Sequence, residues 1–187
     1  MGSEMCIRDR SYSEAKAIDE SLAYAYFIEK QLETRIVRFF NTVGPRQLGA
    51  YGMVVPRFVK SALANEPITI YGDGNQTRCF AHVYDVIDAV ISIAFADNTV
   101  GKVINIGNDF EISINGLAQK IIAETGSKSE IVYVPYDEAY GDGFEDMERR
   151  VPNIDLINEL VGWKPKRDLT TIISDISEEM KKVPKEK

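Results

Sequence analysis

Apolar positions along the chain follow two spacings in turn. From Ser13 to about Gln31, apolar and small residues recur at helical intervals (Ala15, Ile18, Leu22, Ala25, Tyr26), and no Gly or Pro interrupts them. That spacing predicts one long helix. The next run, TRIVRFFN (34–41), is β-branched and aromatic with apolar residues on both faces. Such a run predicts a buried parallel strand. TVGPRQLGAYG (42–52) has the Gly and Pro content of a loop. VVPRFVKSALAN (54–65) predicts a helix with Pro56 in its first turn, where the missing N–H has no partner to lose.

The same alternation continues. PITIYGDG (67–74) predicts a strand running into a turn, VYDVIDAVISIAFA (83–96) a helix, and KVINIGN (102–108) a second buried strand. SINGLAQKIIAETG (113–126) predicts a helix capped by Ser113 and closed by Gly126. SEIVYVP (129–135) predicts a strand, and residues 137–150 an acidic loop with aromatics. NIDLINELVGW (153–163) and DLTTIISDISEEMKK (168–182) predict helices, followed by a frayed tail at 183–187. Strands alternating with helices make an α/β fold.

Composition narrows the chemistry more than the fold. With 187 residues, 44% of them hydrophobic and 27% charged, the chain has the makeup of a globular domain or part of a larger one. No apolar run approaches the length of a membrane span, and two cysteines, one of them in the first ten residues, argue against a disulfide framework, so a reducing cytoplasm is the expected setting. A net charge of −7 disfavours nucleic acid or an anionic membrane as the main partner. The only cysteines are Cys6 and Cys79 and the only histidine is His82, so zinc sites and Ser-His-Asp or Cys-His catalysis lack parts. Catalysis must then run on Tyr, Lys, Arg, Asp, Glu or a bound cofactor. An acidic group, Asp142, Glu145 and Asp146, is spaced too irregularly for metal ligands and reads as solvated loop, and no metal is expected.

Tyr12 and Lys16 lie four residues apart and share a helix face. A phenol titrates near pH 10, too high for a base at neutral pH, and a nearby ammonium favours tyrosinate. Such a pair can pass a proton to or from a substrate hydroxyl. By itself the spacing also suits an ordinary surface pair. The ten residues before it, MGSEMCIRDR, contain no signal-peptide core, and they back-translate in full to a transposon-end adapter read in frame. Residues 1–10 are therefore expected to be a non-native leader. The natural sequence would then begin upstream of Ser11.

Several ordered segments carry a family likeness. YSEAKAIDE, FNTVGPR, GMVVPRFV, ITIYGDGNQTRCFAHVYDV, ERRVPNID and GWKPK resemble, in this order, motifs of the extended short-chain dehydrogenase/reductase family. The likeness is to its nucleotide-sugar epimerase/dehydratase branch and covers essentially all of residues 11–182. It implies the C-terminal part of a Rossmann-like doubly wound parallel sheet plus a smaller mixed α/β substrate-binding domain. Residues 11–45 would end the NAD-binding domain. Residues 46–182 would form the substrate region, with about 80–107 returning to the Rossmann domain.

The resemblance also implies roles. Tyr12 would be the catalytic acid/base, and Lys16 would lower its pKa and bind the cofactor ribose. Phe39 and Phe40 would touch the nicotinamide region of NAD, although core packing explains them equally well. Asn41 would donate to the diphosphate of a nucleotide sugar, at a strand end where open α/β sheets place ligands. Val54, Val55 and Phe58 would form an apolar wall, Tyr71 would lie beside the base, and Arg78 and Arg150 would clamp the diphosphate. His82 would be structural, fixing the following helix.

The chain has no glycine-rich pyrophosphate turn, and the family's catalytic Ser/Thr lies upstream of the tyrosine, where nothing before Ser11 is expected to supply it. Asn153 stands where relatives often carry Asp. The expectation is an NAD-dependent enzyme on a UDP-sugar, homodimeric when intact, with this chain inactive alone. A UDP-sugar 4-epimerase leads, with UDP-glucuronate decarboxylase or NDP-sugar 4,6-dehydratase as alternatives. In another class, a non-catalytic sugar-nucleotide binding module has no need of Tyr12 and Lys16.

Overall fold

Parallel strand pairs organise the structure, a computed structural model that describes residues 4–47, 53–140 and 147–182. Helix α1 (Glu4–Lys30) leads into β1 (Ile36–Phe39), which pairs in parallel with β6 (Val103–Ile106). The short strand β2 (Thr42–Val43) pairs in parallel with β5 (Ala81–His82). Strand β3 (Ile68–Tyr71) pairs in parallel with β8 (Ile131–Val134). A further sheet has the order β7 (Glu111–Ser113), β4 (Thr77–Cys79), β9 (Arg149–Arg150), with β4·β7 antiparallel and β4·β9 parallel. Helices α2 (Val54–Ala64), α3 (Val83–Phe95), α4 (Ile114–Thr125), α5 (Tyr136–Tyr140), α6 (Asp155–Val161) and α7 (Leu169–Lys182) connect and cover them.

Local chemistry accounts for the helix ends. The Ser113 hydroxyl accepts from the Gly116 N–H, and Gly126 closes α4 at φ 64°, both as the pattern predicts. The His82 ring accepts from the Tyr84 N–H and so caps α3. Helix α1 begins at Glu4, nine residues before the predicted start at Ser13, and runs through residues 4–12 without a break. Nothing in EMCIRDR stops a helix, since it contains neither Gly nor Pro. The predicted strand 34–41 shortens to β1, the first two residues of the predicted loop 42–52 form β2, and the predicted loop 137–150 holds β9 and all but the first residue of α5. Strands of two or three residues are too short to show a period.

Two apolar cores result. The larger packs α2, α4 and α7 on β3, through residues such as Phe58, Ile68, Ile70, Leu117, Ile121, Ile172 and Ile176. The smaller joins α3, α6 and β6 through Val86, Ala89, Ile93, Ile104, Ile106, Ile157 and Trp163. The ties between the two sides are polar. Asp85, 1% exposed on α3, accepts from the backbone N–H groups of Lys166 and Arg167 and pairs with the Arg167 guanidinium, just before α7. His82 Nε2 lies 3.1 Å from an Asp175 carboxylate oxygen on α7. Because Nδ1 accepts the cap bond, Nε2 carries the proton and donates to Asp175.

Candidate functional site

A cavity of about 400 Å³ opens where β2, α2 and β3 meet. Asn41, Val54, Val55, Tyr71 and Arg78, each expected at the ligand, line it together. Thr42, Met53, Arg57, Gln76, Phe80 and Tyr136 line it too. Phe58, expected at the wall, is instead 1% exposed in the larger core. It is the next residue after Arg57 on α2, and the helical turn aims it away from the cavity and at β3.

The cavity floor depends on a turn after β3. Gly72 has φ 74°, and a Cβ there would stand 2.3 Å from the Tyr136 ring. Only glycine lets that ring lie over the turn. The Gln76 amide then donates to the Tyr136 hydroxyl at 2.7 Å and to the Tyr71 carbonyl at 3.2 Å. On the opposite side, the Asn41 side-chain amide donates to the Cys79 carbonyl at 2.9 Å, which leaves its second N–H for a ligand. The Cys79 thiol is 1% exposed, and burial first, then the Glu111 and Asp109 carboxylates, push its pKa up to about 11.

The arginines meet through the sheet. In the parallel β4·β9 pair, Arg78 stands opposite Arg150, so the two side chains leave the same face. The Arg78 guanidinium donates to the Thr77 and Met147 carbonyls, each at 2.7 Å. The Arg150 guanidinium sits 5.2 Å from the Phe40 ring centre, one residue from Asn41. Arg149, on the other face, forms a two-pronged pair with Glu111, which also accepts from Thr77. That fork holds the Glu111 carboxyl below the usual carboxylate range.

Tyr12 and Lys16 stand apart from this cavity, on α1. The Lys16 ammonium is 5.8 Å from the Tyr12 ring centre and pairs with Asp19 at 3.1 Å. The hydrogen bond to Asp19, then the Asp19 charge and then Tyr12 raise the Lys16 pKa, so it stays cationic. Tyr12 is 67% exposed and Phe39, at the end of β1, 53%. Helix α1 is fixed to β1 by Glu20, whose carboxylate takes both prongs of Arg38 at 2.6 and 2.7 Å. Asp142, Glu145 and Asp146 lie outside the described residues. Among the described residues no His, Cys, Asp and Glu cluster could hold a metal, and no helix is long and apolar enough to cross a membrane.

Sequence reasoning did not single out Arg57, Gln76 or Tyr136. Arg57 and Gln76 lie inside segments already singled out, VVPRFV and YGDGNQTR, so each segment as a whole was the available signal. Tyr136 gave none, because its role depends on the glycine it covers.

The family model for GDP-mannose 4,6 dehydratase matches residues 7–176. The UDP-N-acetyl-α-D-glucosaminuronate decarboxylase of Bacillus cytotoxicus is 40% identical over 156 residues, which is 83% of this chain and 48% of that protein. UDP-glucuronic acid decarboxylases recur among the curated relatives. The UDP-glucose 4-epimerase of Thermotoga maritima, solved with UDP-glucose, superposes with a TM-score of 0.81 at 29% identity, covering 91% of this chain and 53% of that one. The dTDP-glucose 4,6-dehydratase of Bacillus anthracis, solved with NAD, superposes at 0.79 and 27% identity, covering 91% and 52%. The chain thus spans about half the length of these three proteins.

Proposed function

Because the chain belongs to the GDP-mannose 4,6 dehydratase family, among the NAD-dependent nucleotide-sugar epimerases and dehydratases of the extended short-chain type, we propose that it forms the sugar-nucleotide side of an enzyme acting on a UDP-sugar. The observation that carries this reading is the Arg78–Arg150 pair. The two side chains leave one sheet face: Arg78 lines the cavity with Asn41, and the Arg150 guanidinium lies over Phe40, next to Asn41 in the chain. Two cations on one face suit an anionic ligand, and a diphosphate matches planar guanidinium forks. Tyr71 gives a base a ring to rest on.

NAD, when bound, supplies the hydride acceptor. The residues present fit one side of it. Tyr12, Lys16 and Phe39 offer an exposed hydroxyl, an ammonium and a ring to the ribose and nicotinamide. The sequence of this chain holds no glycine-rich turn for the pyrophosphate. Tyr12, as the phenolate, accepts the proton of the sugar hydroxyl as that carbon is oxidised and becomes a neutral phenol, and the positive charge of Lys16 favours the phenolate that the step starts from.

Loss of CO2 from a UDP-uronate is the reaction supported best, through the 40% identical decarboxylase. Oxidation at C4 makes the carboxylate on C5 part of a β-keto acid, which sheds CO2 without a further base. The 4-epimerase reading keeps separate support from the Thermotoga structure. The whole protein, incubated with NAD and separately with UDP-glucuronate, UDP-N-acetylglucosaminuronate and UDP-glucose, should release CO2 from a uronate. Interconversion of UDP-glucose and UDP-galactose without CO2 would favour the epimerase instead. Tyr12→Phe should cut turnover about 10²- to 10⁴-fold with UDP affinity unchanged.

A further inference from the structure

Arg57 is the one cavity-lining cation that the diphosphate reading leaves without a task. Its guanidinium lies 4.6 Å from the Tyr71 ring centre and 5.4 Å from that of Phe58. One nitrogen, Nη2, donates to the Thr69 carbonyl at 3.1 Å. A second, Nε, is buried and has no partner. No carboxylate among the described residues forms an ion pair with Arg57. The third nitrogen, Nη1, has no acceptor among the described residues, yet the side chain lines the open cavity.

This arrangement decides which ligand group Arg57 can serve. A carboxylate or phosphate is gripped by two parallel N–H bonds, from Nη1 with Nη2 or from Nε with Nη2. Here Nε is buried, so the side fork of Nε with Nη2 is closed. What can face the cavity is the end edge, Nη1 with the N–H of Nη2 that Thr69 leaves over, stiffened by the two rings on which the guanidinium packs. That edge lies beside Tyr71, the ring against which the proposed base would rest, so the group it meets there belongs to the base.

We propose that Arg57 is a specificity-determining residue of the nucleotide cavity, donating from Nη1 to a ring carbonyl of the base, as in uracil. The assignment rests on the sugar-nucleotide reading given above. Where uracil turns a carbonyl oxygen toward this edge, adenine turns its amino group, whose N–H groups oppose the cation. A cation that meets an amino group in place of a carbonyl rejects that base, by about tenfold or more in affinity.

The test is calorimetric titration of the 187-residue chain with UDP, ADP and inorganic pyrophosphate. The unaltered chain should prefer UDP to ADP by about tenfold or more. Arg57→Met keeps the apolar stem and should erase most of that preference, while pyrophosphate affinity stays the same. Arg57→Lys, which keeps the charge on a flexible stem, should fall between the two. Equal UDP-to-ADP ratios in the unaltered chain and Arg57→Met would overturn the role of Arg57 alone. A matching loss of pyrophosphate affinity would make Arg57 a phosphate ligand and also overturn it. Failure of the unaltered chain to bind UDP or pyrophosphate would overturn the sugar-nucleotide reading of the cavity, and this assignment with it. Circular dichroism melting of both variants separates misfolding from altered recognition.

Discussion

Helices α2, α4 and α7 turn their apolar faces onto β3 and onto one another, whereas α1 and α3, beside β1 and β6, keep apolar faces in the open. On the first side Leu117, Ile121, Ile172 and Ile176 are within 2% of full burial. On the second, α3 carries two stripes. Val86, Ala89 and Ile93 face the smaller core, while Tyr84, Ile87, Ile91 and Phe95 are exposed, Phe95 at 85%. Helix α1 exposes Ile18, Leu22, Tyr24, Tyr26 and Ile28. A helix apolar all round is built to lie between two layers, and a parallel strand is built to be covered on both faces. The cavity proposed for substrate sits on the closed side. Tyr12, Lys16 and Phe39 sit on the open side, so the proposed chemistry and the proposed recognition rest on differently covered parts of the molecule.

The largest effect should come from breaking the closed side. Leu117→Ala removes a fully buried side chain between three helices and should cost roughly 3 to 4 kcal/mol, read from urea midpoints. Phe95→Ser on the open stripe should change stability by less than about 0.5 kcal/mol. Comparable losses at both positions would mean that Phe95 is covered in solution, and the contrast between the sides would fail.

The polar ties between the sides come next. Asp85→Ala strands two backbone N–H groups and the Arg167 guanidinium and should cost about 3 kcal/mol. His82→Phe keeps a ring but loses the cap on α3 and the bond to Asp175, for about 2 kcal/mol. If the ties hold the two sides together, both variants should broaden the urea transition by separating them. A sharp single transition with an unchanged slope would show that one side never unfolds without the other.

Long periodic segments were legible in the sequence, and so was what they carry. The caps Ser113 and Gly126 stand where the pattern predicts, and Asn41, Val54, Val55, Tyr71 and Arg78, from separate segments of the sequence, line one cavity. What escaped was set by distant partners. Phe58 and Arg57 are adjacent in sequence, and only the docking of α2 on β3 decides which faces core and which faces cavity. Arg78 and Arg150 are far apart in sequence, and only the register of a two-residue strand sets them side by side. Such strands leave no period to read.

The smallest expected effect tests that register. Arg149 and Glu111 form a fork on the face of the sheet opposite Arg78 and Arg150, and Arg149 is the partner of Thr77 in the same ladder. Arg149 holds the Glu111 carboxyl below its ordinary value, chiefly through the hydrogen bonds of the fork. A carboxyl lowered on folding adds stability that is complete above the unfolded value, near pH 4.3, and drains as pH falls through the lowered one. Glu111→Gln should therefore flatten the dependence of the urea midpoint on pH between about 5 and 3, and leave it unchanged at pH 7 to 8 apart from a constant offset. The pair is exposed, so the change should also shrink in 1 M salt. An unaltered acid limb in the variant would mean that the fork does not persist in solution. The β4·β9 register, and with it the side-by-side placement of Arg78 and Arg150, would then lose its support.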